Sequence, residues 1–211
     1  TNISKLAFTL AKMKKLFIAN PIKAVRSKSF ITEFQNYCAT ELQARNLTTN
    51  GLTIEIERKI DVGRGRVEAD VGIFDASGTP RLIIDVRSQM SSLGKNFNNY
   101  VRMKAGEVES IHERYPKCVV GLIYIHPTGD LQTKRRINPV GSFNYASAAK
   151  QLALLSGRIS TTDSLSVYEK VAYCVVDFNQ DPPRLSENMP TEAELRLDSF
   201  FDKITEILQN R

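Results

Sequence analysis

No stretch of this 211-residue chain reaches the roughly 18 consecutive apolar residues of a membrane span, so none is expected. Cysteine is scarce. Cys38, Cys118 and Cys174 lie far apart with no Cys-x-x-Cys, and their odd number argues against a disulfide framework. They read as small buried hydrophobes in a reducing compartment. Histidine is scarcer still: two residues and no adjoining Cys/His cluster argue against a zinc site. Acidic residues are missing from the N-terminal stretch, where the first is Glu33. Internal repeats and low-complexity tracts are absent. The hydrophobic (42%) and charged (25%) fractions exclude a disordered chain, a collagen and a coiled coil.

What is present begins with charge. The net charge is +6, and the excess belongs to residues 1–32, with Lys5, Lys12, Lys14, Lys15, Lys23, Arg26 and Lys28. The rest of the chain is close to neutral but carries a second basic knot, Lys134-Arg135-Arg136. Such clusters suit phosphate backbones, whose affinity comes largely from counterion release. A solvated helix face reads the same residues without a partner. A transit peptide also shares this composition. However, lysines and Pro21 interrupt the apolar positions, and no secretory apolar region precedes them. A structured basic helix in a cytoplasmic protein is expected.

Periodicity orders the chain. Leu6, Leu10, Met13 and Phe17 predict a helix over 4–18. Phe30, Phe34, Tyr37, Cys38 and Leu42 predict a second over 29–45, ended by Asn50-Gly51. Residues 53–60 alternate as a strand, 61–65 form a turn, and 66–74 and 81–87 are strands joined by a hairpin loop. Leu93, Phe97, Val101, Val108, Ile111 and Tyr115 mark a long helix stopped by Pro116. Residues 118–125 and 171–178 read as strands buried on both faces, with a helix over 142–155 between them. Residues 179–190 are turn-rich, and Thr191-Glu-Ala-Glu194 opens like a capping box for a helix to about 209. The order predicts an α/β protein with a central mixed sheet flanked by helices, in one domain. A basic helical extension over 1–28 precedes the core of 29–178, and 179–211 ends in the C-terminal helix.

The informative chemistry lies on the hairpin. Alternation sets Val67, Ala69, Val71 and Ile73 on one face of the first strand, and Glu68 and Asp70 on the other. On the second strand Ile83, Asp85 and Arg87 share a face. A loop symmetric about Ser77-Gly78 sets Asp70 opposite Asp85 and Glu68 opposite Arg87. Directly opposed residues have Cβ atoms about 4.5–5.5 Å apart. Two facing carboxylates repel unless a cation lies between them, and a hard, oxygen-seeking ion such as Mg²⁺ fits. Asp85 also ends the apolar run Leu82-Ile-Ile84, where an unpaired charge is costly. Alternatively, Glu68 and Arg87 form a cross-strand ion pair and Asp70 bonds backbone amides.

The segment VEADVGIFDASGTPRLIIDVRSQ resembles the active-site hairpin of the PD-(D/E)XK nuclease superfamily. Its continuation SQMSSLGKNFNNY is similar to the helix start that follows in several type II restriction endonucleases. The resemblance covers about residues 60–125. It implies a restriction endonuclease-like core, Mg²⁺ as cofactor, double-stranded DNA as partner and a homodimer, since two-fold symmetry suits cutting two strands. It makes Asp70 and Asp85 metal ligands together with the Val86 carbonyl, and puts Arg87 where the family has lysine. Arginine keeps the charge but cannot act as a base near neutral pH. Gln89 is a possible helper on the same face. Tyr100 replaces an expected arginine, and Arg102-Met103 replaces an acidic pair. An acidic residue from the preceding helix often joins such a site, which makes Glu41 and Glu33 candidates.

For DNA contacts the candidates are Lys12, Lys14, Lys15, Arg64, Lys95, Asn96, Asn98, Lys134, Arg135 and Arg136. His126 either touches DNA or simply ends a strand before Pro127. The leading expectation is a Mg²⁺-dependent, site-specific type II endonuclease. A catalytically weakened DNA-binding or assembly subunit, or an unrelated α/β protein whose carboxylates form only ion pairs, are the alternatives.

Overall fold

The computed structural model describes residues 3–20, 23–24, 28–47, 51–90, 93–128 and 143–211. The N-terminal periodicity folds as expected. Helix α1 spans Ile3–Ala19 and buries Leu6, Leu10, Met13 and Phe17. Helix α2 (Ser29–Gln43) buries Phe30, Phe34, Tyr37, Cys38 and Leu42. Three antiparallel strands follow: β1 (Thr53–Asp61), β2 (Arg66–Phe74) and β3 (Pro80–Ser88). The β2–β3 loop is closed by Asp75, whose carboxylate accepts from the backbone N–H of Ser77 and Thr79, both at 3.0 Å. Gly78 there has φ +83°, a conformation glycine adopts freely.

Helix α3 (Leu93–Arg114) carries the chain across to β4 (Val119–Pro127), which pairs parallel to β3. A parallel neighbour needs such a crossover. Every residue of β4 is buried, in keeping with its apolar composition. Asn144 caps helix α4 (Tyr145–Ala153) by accepting from Ser147 N at 2.8 Å. Strand β5 (Lys170–Asp177) is parallel to β4 and ends the run of long strands. The six-stranded mixed sheet has the order β1 to β6, and β6 (Arg184–Leu185) is a short antiparallel edge inside the segment read as turn-rich. One face is covered by α1, α2 and the C-terminal helix α5 (Phe200–Gln209), the other by α3 and α4.

Two expectations need correction. The capping box does not form: the Thr191 hydroxyl bonds Glu192, and α5 begins only at Phe200. Residues 193–199 are instead two short 3₁₀ turns separated by an extended Arg196. Leu195 is buried in the α3–α4 layer and Leu197 in the α1–α2–α5 layer, so the segment passes from one side of the sheet to the other. Burial on both sides overrides local helix propensity. Second, the alternation along β2 does not persist. Val71 and Ile73 pack on the α1–α2–α5 side, whereas Ala69 packs on the other, with Val67 against it. The reversal falls at Asp70. Glu57, the residue the β1–β2 register sets opposite it, has a positive φ of 56°.

A buried ionic cluster ties the α3–α4 side together. The Glu169 carboxylate accepts from Arg158 Nη1 (2.5 Å), Arg211 Nη1 (2.6 Å) and Val120 N (2.8 Å), with His112 Nε2 at 3.2 Å. These contacts hold the Glu169 carboxyl below the usual range despite its burial. Among the described residues no helix is long and apolar enough to cross a membrane.

Candidate active site

The site forms where β2 and β3 part. Their register follows the expected symmetry through Ile73↔Leu82, Gly72↔Ile83 and Val71↔Ile84. Beyond Ile84 the amide of Val86 donates to the Asp70 carboxylate instead, at 2.7 Å. Asp70 thereby replaces a strand carbonyl as acceptor and is held in the fork between the strands. The Asp85 carboxylate lies near enough to act on its charge, so the two acids share one cleft although the strand ladder ends before them. Burial and then the charge of Asp85 push the Asp70 carboxyl up to about 7, opposed by the Val86 amide.

Two residues that the sequence reading passed over complete the cleft. Gln35, 1% exposed on α2, donates Nε2–H to Asp70 Oδ1 at 2.8 Å. Its own carbonyl oxygen is buried without a hydrogen-bond partner. Lys104 on α3 sets its Nζ 2.7 Å from Asp85 Oδ2 and 2.5 Å from Glu107 Oε2. Burial alone would lower the pKa of this ammonium; the two carboxylates outweigh it and hold it raised. The signal for Lys104 was in the spacing. Phe97, Val101, Val108 and Ile111 form a helical stripe with one gap, and position 104 falls in it. A lysine on an apolar stripe requires a buried acceptor.

Arg87, two residues beyond Asp85, is stacked on an aromatic ring of α3. Its guanidinium carbon lies 4.2 Å from the ring centroid of Tyr100. Its Nε is buried without a hydrogen-bond partner. The Glu68–Arg87 pair is not formed, because Glu68 pairs with Lys28. Glu41 is 4% exposed and bonded to Arg45 at 3.0 Å, while Arg45 also reaches Asp202. Glu33 pairs with Lys12 at 3.2 Å. The amide that α2 presents to Asp70 is therefore Gln35, with both glutamates engaged elsewhere.

Gln89 is buried and braces α3: its Nε2 donates to Leu93 O at 3.2 Å. Its Oε1 accepts from Tyr124 Oη at 2.9 Å and faces His126 Nε2 at 3.2 Å. His126 is fully buried with Tyr173 Oη on its other nitrogen at 2.7 Å, so it offers nothing to DNA. Burial lowers its pKa to about 3, which leaves it neutral.

The DNA-contact candidates are dispersed. Lys12 lies over the Phe8 ring, Lys14 Nζ donates to Gln180 O at 3.0 Å, and Lys15 is exposed on α1. Arg64 reaches Glu113 at 3.4 Å. Asn96 is half-buried and Asn98 exposed in the first turns of α3, where Lys95 also lies. Lys134, Arg135 and Arg136 lie outside the described residues.

No three His, Cys, Asp or Glu side chains gather as a metal-binding group among the described residues. Compared with family models, curated proteins and solved structures, the chain has no match.

Proposed function

We propose that this protein is a metal-dependent DNA endonuclease of the PD-(D/E)XK type, cutting phosphodiester bonds at the Asp70–Asp85 cleft. The observation that carries this reading is the half-buried approach of the two carboxylates with a lysine 2.7 Å from Asp85. Asp70, Asp85 and the Val86 carbonyl would hold Mg²⁺. The orphaned Gln35 oxygen beside Asp70 fits a hard cation, because it is an oxygen donor otherwise left without a partner. When bound, the ion supplies Lewis-acid stabilisation of the phosphate and a more acidic water. Lys104 takes the place of the family lysine from α3: its ammonium neutralises charge at the phosphate and orients the attacking water. Gln35 fixes the Asp70 carboxylate, and Glu107 holds the ammonium. Double-stranded DNA cut at a specific site by a homodimer, in the cytoplasm, is the full form of the proposal.

Lys104 is closed between Asp85 and Glu107, and this favours one second reading, a DNA-binding or assembly subunit on the same fold. A plasmid assay with Mg²⁺, with EDTA and with Asp85→Asn separates them. Metal-dependent cutting lost in Asp85→Asn supports the endonuclease. DNA binding without cutting under any divalent metal supports the subunit.

A further inference from the structure

Along β3 the side chains of Asp85 and Arg87 repeat on one face, and α3 lays Lys104 against the first and Tyr100 against the second. The two positions are one strand repeat apart, about 6.6 Å. That is close to the separation of neighbouring phosphates along a nucleic-acid strand. The charges at the two positions differ. Lys104 is neutralised by Asp85 and Glu107, and Lys28 by Glu68. Arg87 makes no ion pair with any described residue, and its Nε–H is buried unbonded. Its planar guanidinium is seated on the Tyr100 ring, which orients the fork of N–H groups without using any of them. A half-exposed arginine fixed in this way is suited to an anion such as a phosphate.

We propose that Arg87, seated on Tyr100, binds the phosphate next to the one taken by the Asp70–Asp85–Lys104 cleft, so that the substrate is a DNA strand gripped at two consecutive phosphates. This rests on the nuclease reading and adds to it a positioning site one nucleotide away. Arg87 is then a positioning residue, and its departure from the family lysine is a change of task.

The test compares thymidine dinucleotide (one phosphodiester), trinucleotide (two), and trinucleotide with one neutral methylphosphonate. Binding is followed by NMR in Ca²⁺ without hydrolysis, reading the Arg87 Nε–H and Tyr100 ring resonances. For the wild type the second phosphate should tighten binding about 10–100-fold, and for Arg87→Ala less than about threefold, as expected for one charged hydrogen-bonded contact. Arg87→Lys should regain part of the gain, and the methylphosphonate trinucleotide should behave like the dinucleotide. The proposal is overturned if Arg87→Ala gains as much as the wild type from the second phosphate. It is equally overturned if the wild type binds none of the three, or binds them without moving the Arg87 resonance. Should Arg87→Ala fail to fold by circular dichroism, Arg87→Lys and Tyr100→Leu carry the comparison. Hydrolysis in Mg²⁺ or Mn²⁺ is scored separately: its absence removes the catalytic reading while the binding gain still decides the phosphate site.

Discussion

Two carboxylates on the same sheet, Glu169 buried and Asp70 half-buried, are shifted in opposite directions. Glu169 is surrounded by donors: two guanidinium groups, a histidine and a backbone amide. Its pKa is held low and its charge is fully compensated. Asp70 is surrounded by a mixture, with one amide N–H, one glutamine N–H and another acid, and its pKa is pushed up. The first arrangement is complete without any partner. The second accommodates a proton or a cation, and a group poised near neutral pH in a cleft is a candidate for chemistry. The difference separates an ion cluster that is complete in itself from a site able to take up a proton or a cation.

The largest effect should come from breaking the compensated cluster. Glu169→Ala leaves Arg158, which is 1% exposed, without its carboxylate, and should destabilise the fold by about 3–5 kcal/mol. Urea denaturation checks this. A loss below about 1 kcal/mol, the range of exposed pairs, would mean that Glu169 is not the hub of that layer.

Lys104→Met comes next and acts on the other side of the comparison. It should reduce metal-dependent cleavage by about 10²–10³, the usual consequence of losing one transition-state charge contact. Plasmid cleavage rates in Mg²⁺ measure it. If Lys104→Met cuts at the wild-type rate, the ammonium serves only to neutralise Asp85.

These two residues also mark how far the sequence could be read. The helices at 3–19 and 29–43 follow from apolar periodicity, and the pairing of Val71–Ile73 with Leu82–Ile84 follows from loop symmetry, which are local properties; the position of Asp70 in the fork, where alternation and ladder both break, is not. Lys104 and Gln35 are brought to the cleft by two helices packed on opposite faces of the sheet, and such docking is not a local property. The lysine still left a trace as the gap in its helix stripe. Gln35 left less, a lone amide beside Phe34. The failed capping box at Thr191 has the same origin, since Leu195 and Leu197 are drawn to opposite layers. On the same helix as Gln35 the Glu41 carboxylate is bonded to Arg45, and Gln35 is the side chain that reaches Asp70.

Asp70→Asn should show the opposite sign of stability effect from Glu169→Ala. An acid whose folded pKa is raised keeps its proton in the folded state where the unfolded chain has lost it. Stability therefore declines as pH rises from about 4, the ordinary carboxylate value, to about 7, the folded value. Asparagine imitates the protonated form, its oxygen accepting from Val86 N and its NH2 facing Asp85, with the Gln35 amide turned over so that its unpartnered oxygen accepts from that NH2. At pH 8 the variant should be more stable than the wild type by on the order of 1–3 kcal/mol, with a flatter profile between pH 4 and 7. Thermal melts across that range decide it. A variant that is less stable at pH 8 would mean that Asp70 is compensated after all, as Glu169 is.

The smallest effect concerns α1, where three lysines with equal charge differ in what they already touch. Lys12 is paired with Glu33, and Lys14 donates to the Gln180 carbonyl. Lys15 is exposed on the same helix with no ion pair or hydrogen bond to a described residue. A phosphate contact by Lys12 must compete with a carboxylate, whereas Lys15 has nothing to give up. For duplex DNA, removing one phosphate contact lowers the log–log salt slope by about 0.9. Lys15→Ala should show most of that change, Lys14→Ala and Lys12→Ala less, and all three should act alike on every sequence. Fluorescence anisotropy over a series of salt concentrations resolves the order. Three equal slopes at the wild-type value would assign the helix to solvent, leaving DNA affinity to the cleft and to contacts elsewhere on the chain.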